Sequence, residues 1–166
     1  IGLTNAQSWV FAEQFSSTGD VTPLDIKVDD NGDVYIIGNY VDALTIAGLP
    51  ALTYSGIQED IFLCKFNGRG VAQWARRIGG DARDFAGGLA IGPSNNIYIV
   101  GASRSPLLSF DGGTTTLTNT DGVDFDSFLA KYDGSGSLMF ADSIFWGSDV
   151  ESLRHVTYDS DRYYLL

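Results

Sequence analysis

Two stretches of the chain place side chains of chemical interest close together. Asp29-Asp30-Asn31-Gly32-Asp33 alternates oxygen-bearing side chains, the pattern of a loop that grips calcium through carboxylates and carbonyls. Such a loop needs glycine at its sixth position and a bidentate glutamate at its twelfth, where this chain has Val34 and Tyr40. The matching run Gly92-Pro93-Ser94-Asn95 has no carboxylate. The stretch therefore reads as a hairpin turn, with Asn31-Gly32 supplying the positive φ values of a tight connection. No cofactor is expected; calcium at this turn is the alternative.

The second stretch, residues 60–80, holds Asp60, Cys64, Lys65, Trp74, Arg76 and Arg77 within one short span, and it returns 66 positions later at residues 126–144. Asp60 falls on Asp126, Phe62 on Phe128, Leu63 on Leu129, Lys65 on Lys131, Gly68 on Gly134, Gly70 on Gly136, Trp74 on Phe140 and Ile78 on Ile144. A unique active site does not recur in unit after unit, so the stretch is framework. Asp60 and Asp126 read as caps on neighbouring backbone amides. Cys64 is matched by Ala130 and reads as a small buried side chain. Arg76, Arg77 and Arg83 are candidates for an acidic ligand; a solvated outer strand or a contact between units is the expected role.

His155 is the sole histidine, which excludes a histidine-rich metal site and leaves a Ser-His-Asp triad resting on one residue with no nucleophile elbow. Burial between units is expected for it. Glu59, Asp84, Asp121, Asp124 and Glu151 are carboxylates near loop ends, and the sequence pairs none of them. No catalytic residue and no metal ligand is named.

The elements that carry these residues are strands. Residues 24–38 alternate apolar and polar positions, turn at Asn31-Gly32 and continue as Val34-Tyr35-Ile36-Ile37-Gly38. Residues 89–101 repeat the pair 63 positions on, Gly38 falling on Gly101. The near-continuous apolar runs suit inner strands buried on both faces. In residues 60–66, Phe62, Cys64 and Phe66 take one face, Ile61, Leu63 and Lys65 the other. Four-residue turns Asn67-Gly68-Arg69-Gly70 and Asp133-Gly134-Ser135-Gly136 lead into the strands of Trp74 and Phe140. Each unit is thus about four antiparallel strands. Residues 1–23 read as the end of a preceding unit, with Trp9 in the place of Trp74; 24–80 and 87–147 as two units; and 153–166 as the start of another.

The segments after Gly38 and Gly101, residues 39–59 and 102–125, differ most between units and are expected to be rim loops or small hairpins carrying the binding face. Tyr40, Asp42, Tyr54, Arg104, Phe110 and Asp111 are the candidate binding residues there.

Composition bounds the rest. Twenty glycines against four prolines, among short apolar runs, fit an all-β chain of many turns. A net charge of -11 argues against nucleic acid, and no apolar run reaches the roughly 20 residues of a membrane-spanning helix. One cysteine forms no internal disulfide. A four-stranded sheet cannot bury both faces alone, so the units must stack; the period and strand count favour a β-propeller over a solenoid.

With these residues laid out, the chain resembles the SBBP repeat, a β-propeller repeat of bacterial secreted and surface proteins, in the variety common in Bacteroidetes. The matching pieces are Asp29, Asn31, Gly32, Val34, Tyr35 and Gly38 in the first hairpin, Gly56, Asp60 and Lys65 before and along the third strand, and Gly70, Trp74, Ile78, Gly79 and Gly80 in the closing strand. Phe140, Phe145-Trp146-Gly147 and Gly92-Pro93-Ser94-Asn95 depart from the pattern. The resemblance implies more blades than the two or so this chain supplies, from the same polypeptide or other subunits. It also implies a location outside the cell, secreted or on the outer-membrane exterior. A non-enzymatic binding or scaffolding module for protein or glycan is the expected function. The alternatives are a glycan-cleaving enzyme whose site lies in other blades, and a subunit of an envelope assembly.

Overall fold

The computed structural model describes residues 13–54, 58–110, 115–119, 123–145, 152–159 and 162–166. Trp9, Asp111, Asp121, Trp146 and Glu151 lie outside the described residues.

Turn chemistry sets the register of the strands. Asp29 Oδ1 accepts the N–H groups of Asn31 and Asp33, both at 2.9 Å. Asn67 Oδ1 does the same for Arg69 and Val71, and Asp133 Oδ1 for Ser135 and Ser137. In all three turns the fourth residue, Gly32, Gly70 or Gly136, takes the left-handed conformation with φ near 80° (81°, 81° and 80°). Asn31 does not share that conformation, contrary to the expectation for Asn31-Gly32. The side-chain oxygen at the first position already satisfies the turn amides, and only the fourth position must turn left-handed. The run 92–95 lacks both residues; Ser94 and Asn95 take positive φ there within the short 3-10 turn Pro93–Asn95.

Fourteen strands are described. A two-residue β1 (Phe15–Ser16) precedes β2 (Val21–Val28), β3 (Val34–Tyr40), the short β4 (Thr45–Ile46), β5 (Asp60–Phe66) and β6 (Ala72–Gly79). Then follow β7 (Asp84–Gly92), β8 (Asn96–Ser103), β9 (Leu107–Phe110), β10 (Thr115–Thr118), β11 (Asp126–Tyr132) and β12 (Leu138–Phe145). The last hairpin is β13 (Val156–Asp159) and β14 (Arg162–Leu165). Strands β2-β3-β5-β6 form one antiparallel meander and β7-β8-β11-β12 a second, so the repeat is structural as well as sequential. Gly38 and Gly101 show how closely: a Cβ on either would come 2.8 Å from Cε1 of Phe62 or Phe128 respectively. Strand β2 lies beside β7, and β7 beside β13, so the first strands of successive units sit innermost.

The two faces of β5 divide as its alternation requires. Ile61 and Leu63 join Tyr35, Ile37 and Trp74 against Leu89, Ile97, Ile99, Phe128 and Ala130 of the second sheet. Phe62, Cys64 and Phe66 face the other way, under Phe15, Leu44, Ile46 and Leu52. The far face of the second sheet buries Val100 and Tyr98 beneath Leu153 and Val156. Trp74 is 8% exposed and fulfils its expected place between units. Its indole N–H donates to Gly134 O at 3.3 Å, so the 133–137 turn of the second unit sits on the outer strand of the first.

The variable segments do something other than expected. The hairpin β9-β10 belongs to the second unit in sequence, yet β9 pairs with β6 (Ile78 with Phe110, Gly79 with Ser109) and extends the first sheet to six strands. One unit earlier, β4 pairs with β1 in the same way, Phe15 opposite Ile46. Each insertion reaches back to a strand that precedes it in the chain, β9 covering the last two residues of the β6 edge and β4 pairing with β1. These segments fasten the units together.

Candidate functional site

The rim where β2, β7 and the segment leading into β13 come together is built on one buried carboxylate. Asp84, at the first position of β7, accepts hydrogen bonds from Ser103 Oγ, Ser105 Oγ (2.8 Å) and the backbone N–H of Gly80 (2.8 Å). Burial raises its pKa above the usual 3.8, partly opposed by those donors. Asn39, at the end of β3, bridges the two sheets: its Nδ2 donates to Asp84 O at 2.9 Å and its Oδ1 accepts from Ala86 N at 3.2 Å. Ser127 Oγ accepts Leu153 N at 3.0 Å, which ties the next unit down at the same end. These bonds fix the start of β7 and hold the side chains next to Asp84 at the surface.

Those side chains line a cavity of about 390 Å³ walled by Leu24, Glu59, Arg83, Phe85, Phe125 and Arg154. Phe85 and Phe125 pack with ring centroids 4.8 Å apart. A guanidinium lies against each ring, Arg154 Cζ 5.6 Å from the Phe85 centroid and Arg104 Cζ 4.7 Å from that of Phe125. Arg83 pairs with Glu59 through two hydrogen bonds. Among the described residues neither Arg104 nor Arg154 has a carboxylate partner, and Arg104 Nε is buried without an acceptor. In a chain of net charge -11 this is a local concentration of positive charge over an aromatic floor.

A larger cavity, about 470 Å³, opens on the outer strand between Leu52, Thr53, Arg76, Arg77, Gly136 and Ser137. Its arginines serve the framework. Arg76 Nε donates to Gly136 O at 2.6 Å, and Arg77 Nε to the fully buried Asp60 at 2.8 Å. Asp60 and Arg77 form a charge pair across two strands, and the pair is peculiar to the first unit, because the position matching Arg77 is Ser143.

The candidate binding residues divide. Tyr40 is fully buried, donating its hydroxyl to Thr53 O at 2.7 Å, and Phe110 is fully buried edge-on against Phe128. Neither offers a surface for a ligand: Tyr40 ends the inner strand β3, and Phe110 lies on β9 where it pairs with β6. Tyr54 is half-buried against the Tyr40 ring. Asp42 is exposed at a positive φ of 66° and accepts from Thr18 Oγ1 at 3.0 Å. Asp111 lies outside the described residues. Arg104 alone reaches the rim cavity's aromatic pair.

One other expectation is corrected. His155 is exposed, since Val156 takes the inward position beside it and alternation turns His155 out. Asp29 is engaged by its own turn, its Oδ2 accepting from Tyr35 at 3.2 Å, and no group of three metal-ligating side chains occurs among the described residues. Sequence reasoning missed Phe85, Phe125 and Arg154. A signal for the first two was present: they stand where the first unit has Thr22 and Glu59, as Arg83 stands where it has Asp20, and a break in a repeat marks what the framework does not need.

Comparison with known proteins agrees with the architecture. The chain is 28% identical over 127 residues to an uncharacterized WD repeat-containing protein of Acanthamoeba polyphaga mimivirus, an alignment covering 70% of this chain and 9% of that protein. No family model matches. The all-β meanders, stacked with their first strands innermost, are β-propeller-like blades. No helix of the described residues is long and apolar enough to cross a membrane.

Proposed function

We propose that the chain forms part of a propeller that works as a protein-binding scaffold, with the rim at the start of β2, β7 and β13 as its contact surface. The observation that carries this is the division of the arginines. On the outer strand Arg76 is consumed in joining the units and Arg77 in pairing with Asp60 inside the first, whereas Arg104 and Arg154 at the rim have no carboxylate partner among the described residues. A rigid frame with cationic side chains gathered on an aromatic pair at one end is suited to recognition. Proteins with WD repeats generally bind other proteins, which supports a protein ligand ahead of a glycan.

The SBBP type, and with it a bacterial location outside the cell, belongs to the same proposal and rests on the motif resemblance. Further blades come from the same polypeptide or from other subunits. No cation is needed, so thermal melts with and without EDTA coincide; a loss of many degrees in EDTA would restore the calcium reading of Asp29 to the account.

The test is affinity capture by the immobilised chain from the source organism, with identification of what is retained, alongside a glycan array and protease shaving of intact cells. Specific, saturable retention of a protein supports the scaffold. Retention of glycans alone, or turnover of a glycan, refutes it, and protection from protease in intact cells refutes the exterior location.

A further inference from the structure

We infer that the cavity between Phe85, Phe125, Arg83 and Arg154 is a receptor for an acidic peptide, one carboxylate side chain meeting the guanidiniums and a neighbouring apolar residue lying on the phenyl pair. The inference rests on the protein-binding reading above and specifies its ligand. Three observations carry it.

The charge is local and unbalanced. Three of the ten cationic side chains of an acidic chain gather around one aromatic pair, and among the described residues only Arg83 is met by a carboxylate. Arginines laid on aromatic rings keep their N–H edges directed outward for a planar, bidentate acceptor. A carboxylate is such an acceptor.

The chain also contains a rehearsal of the contact. Glu59 takes Arg83 in a two-bond fork, with its own side chain 35% exposed. Glu59 thereby marks the position and geometry that an incoming carboxylate adopts, and it is the competitor such a group displaces or joins.

The floor is held rigidly. Phe85 follows Asp84, whose three donors and whose carbonyl bond to Asn39 pin the start of β7, while Leu153 N is anchored to Ser127 beside Arg154. Little ordering remains to be done on binding, and a cavity of about 390 Å³ has room for one side chain and its neighbour. Recognition is of the carboxylate and the apolar residue together, since a rim charge alone gives weak and salt-sensitive attraction.

Three end-blocked, fluorescein-labelled peptides test this by anisotropy titration: Glu-Phe-Glu-Phe, Gln-Phe-Gln-Phe and Lys-Phe-Lys-Phe. The acidic peptide binds at least about tenfold tighter than the other two, in keeping with charge-assisted bidentate bonds. Arg154→Gln and Arg83→Gln each weaken it about tenfold, whereas Arg69→Gln, on an exposed turn remote from the rim, leaves it unchanged. Glu59→Gln tightens it, a gain that a folding defect cannot imitate.

Equal binding of the three peptides, or indifference to both rim arginines, overturns the receptor. The two readings separate in the capture experiment. A partner retained equally by the parent chain and by the Arg83→Gln/Arg154→Gln chain overturns this cavity as its site and leaves the scaffold standing. If the parent chain retains no protein, the scaffold reading falls, and the peptides alone decide the cavity.

Discussion

Arg76 of the first unit and Gly136 of the second are joined by a 2.6 Å hydrogen bond from Nε to the carbonyl oxygen, across 60 positions of the chain. Lys65 Nζ and Trp74 Nε1 add bonds to Gly134 O at 3.2 and 3.3 Å. The turn that organises one sheet is therefore also the part that plugs into its neighbour, and this double duty makes the 133–137 turn sensitive to change.

Trp74→Ala removes the ring that fills this junction and is expected to cost about 3 to 5 kcal/mol, whereas Trp74→Phe, which copies Phe140 of the second unit, costs clearly less. Urea unfolding with matched slopes measures both. A loss under about 1 kcal/mol for the alanine variant would show that the junction carries little of the stability.

Two glycines with the same backbone conformation are expected to respond differently. Gly32 and Gly136 have φ of 81° and 80°, but a Cβ at Gly32 meets nothing within 4 Å, while one at Gly136 comes 2.7 Å from Cδ2 of Trp74. Gly32→Ala costs about 1 to 2 kcal/mol for the left-handed conformation alone. Gly136→Ala costs that and the displacement of Trp74, and its tryptophan emission shifts to the red. Equal losses at the two sites would mean the junction yields without strain.

Asp84 gives a pH signature. Its pKa in the folded chain is raised above the 3.8 of an exposed aspartate, burial being the main cause. The folded state therefore holds the proton more tightly than the unfolded one. Its contribution to stability is full below the unfolded pKa and is lost as pH rises through the folded pKa. Asp84→Asn cannot titrate, so the parent's advantage over this variant shrinks as pH is raised from below the usual aspartate value of 3.8 toward neutrality. Asp84→Ala strands the donors of Gly80, Ser103 and Ser105 and costs about 2 to 4 kcal/mol at either pH. An advantage over Asn that grows with pH would mean that the folded chain favours the ionised carboxylate.

Cys64 is buried and its thiol is pushed up to about 12 by desolvation. Ellman's reagent at about pH 8 is expected to leave the folded chain unlabelled and to react fully in denaturant, so labelling tracks unfolding. Prompt reaction of the folded chain would place the thiol at the surface.

The framework was legible in the sequence because it recurs. Phe62, Gly70 and Trp74 each had a partner 66 positions on, and core and turn positions must repeat when every unit solves the same packing problem. The rim cavity was not legible. Glu59, Arg83, Phe125 and Arg154 come from separate parts of the chain and meet only once the units stack. The variable segments misled for a related reason: Tyr40 and Phe110 look like loop aromatics in one dimension, and only pairing partners such as Ile78 opposite Phe110 reveal them as interior. His155 misled because alternation, fixed by Val156, could not be phased from a hairpin whose register was still open.

The variable segments act as fasteners, and the rim is left as the surface open to a partner. Native-state hydrogen exchange, resolved by residue, tests it most directly. The amides of Leu108 and Phe110 are expected to exchange as slowly as those of Leu63 and Ile78 in the sheet they extend, while those of Arg83 and Ser152 at the rim exchange orders of magnitude faster. Rapid exchange at Leu108 and Phe110, as in a free loop, would contradict it.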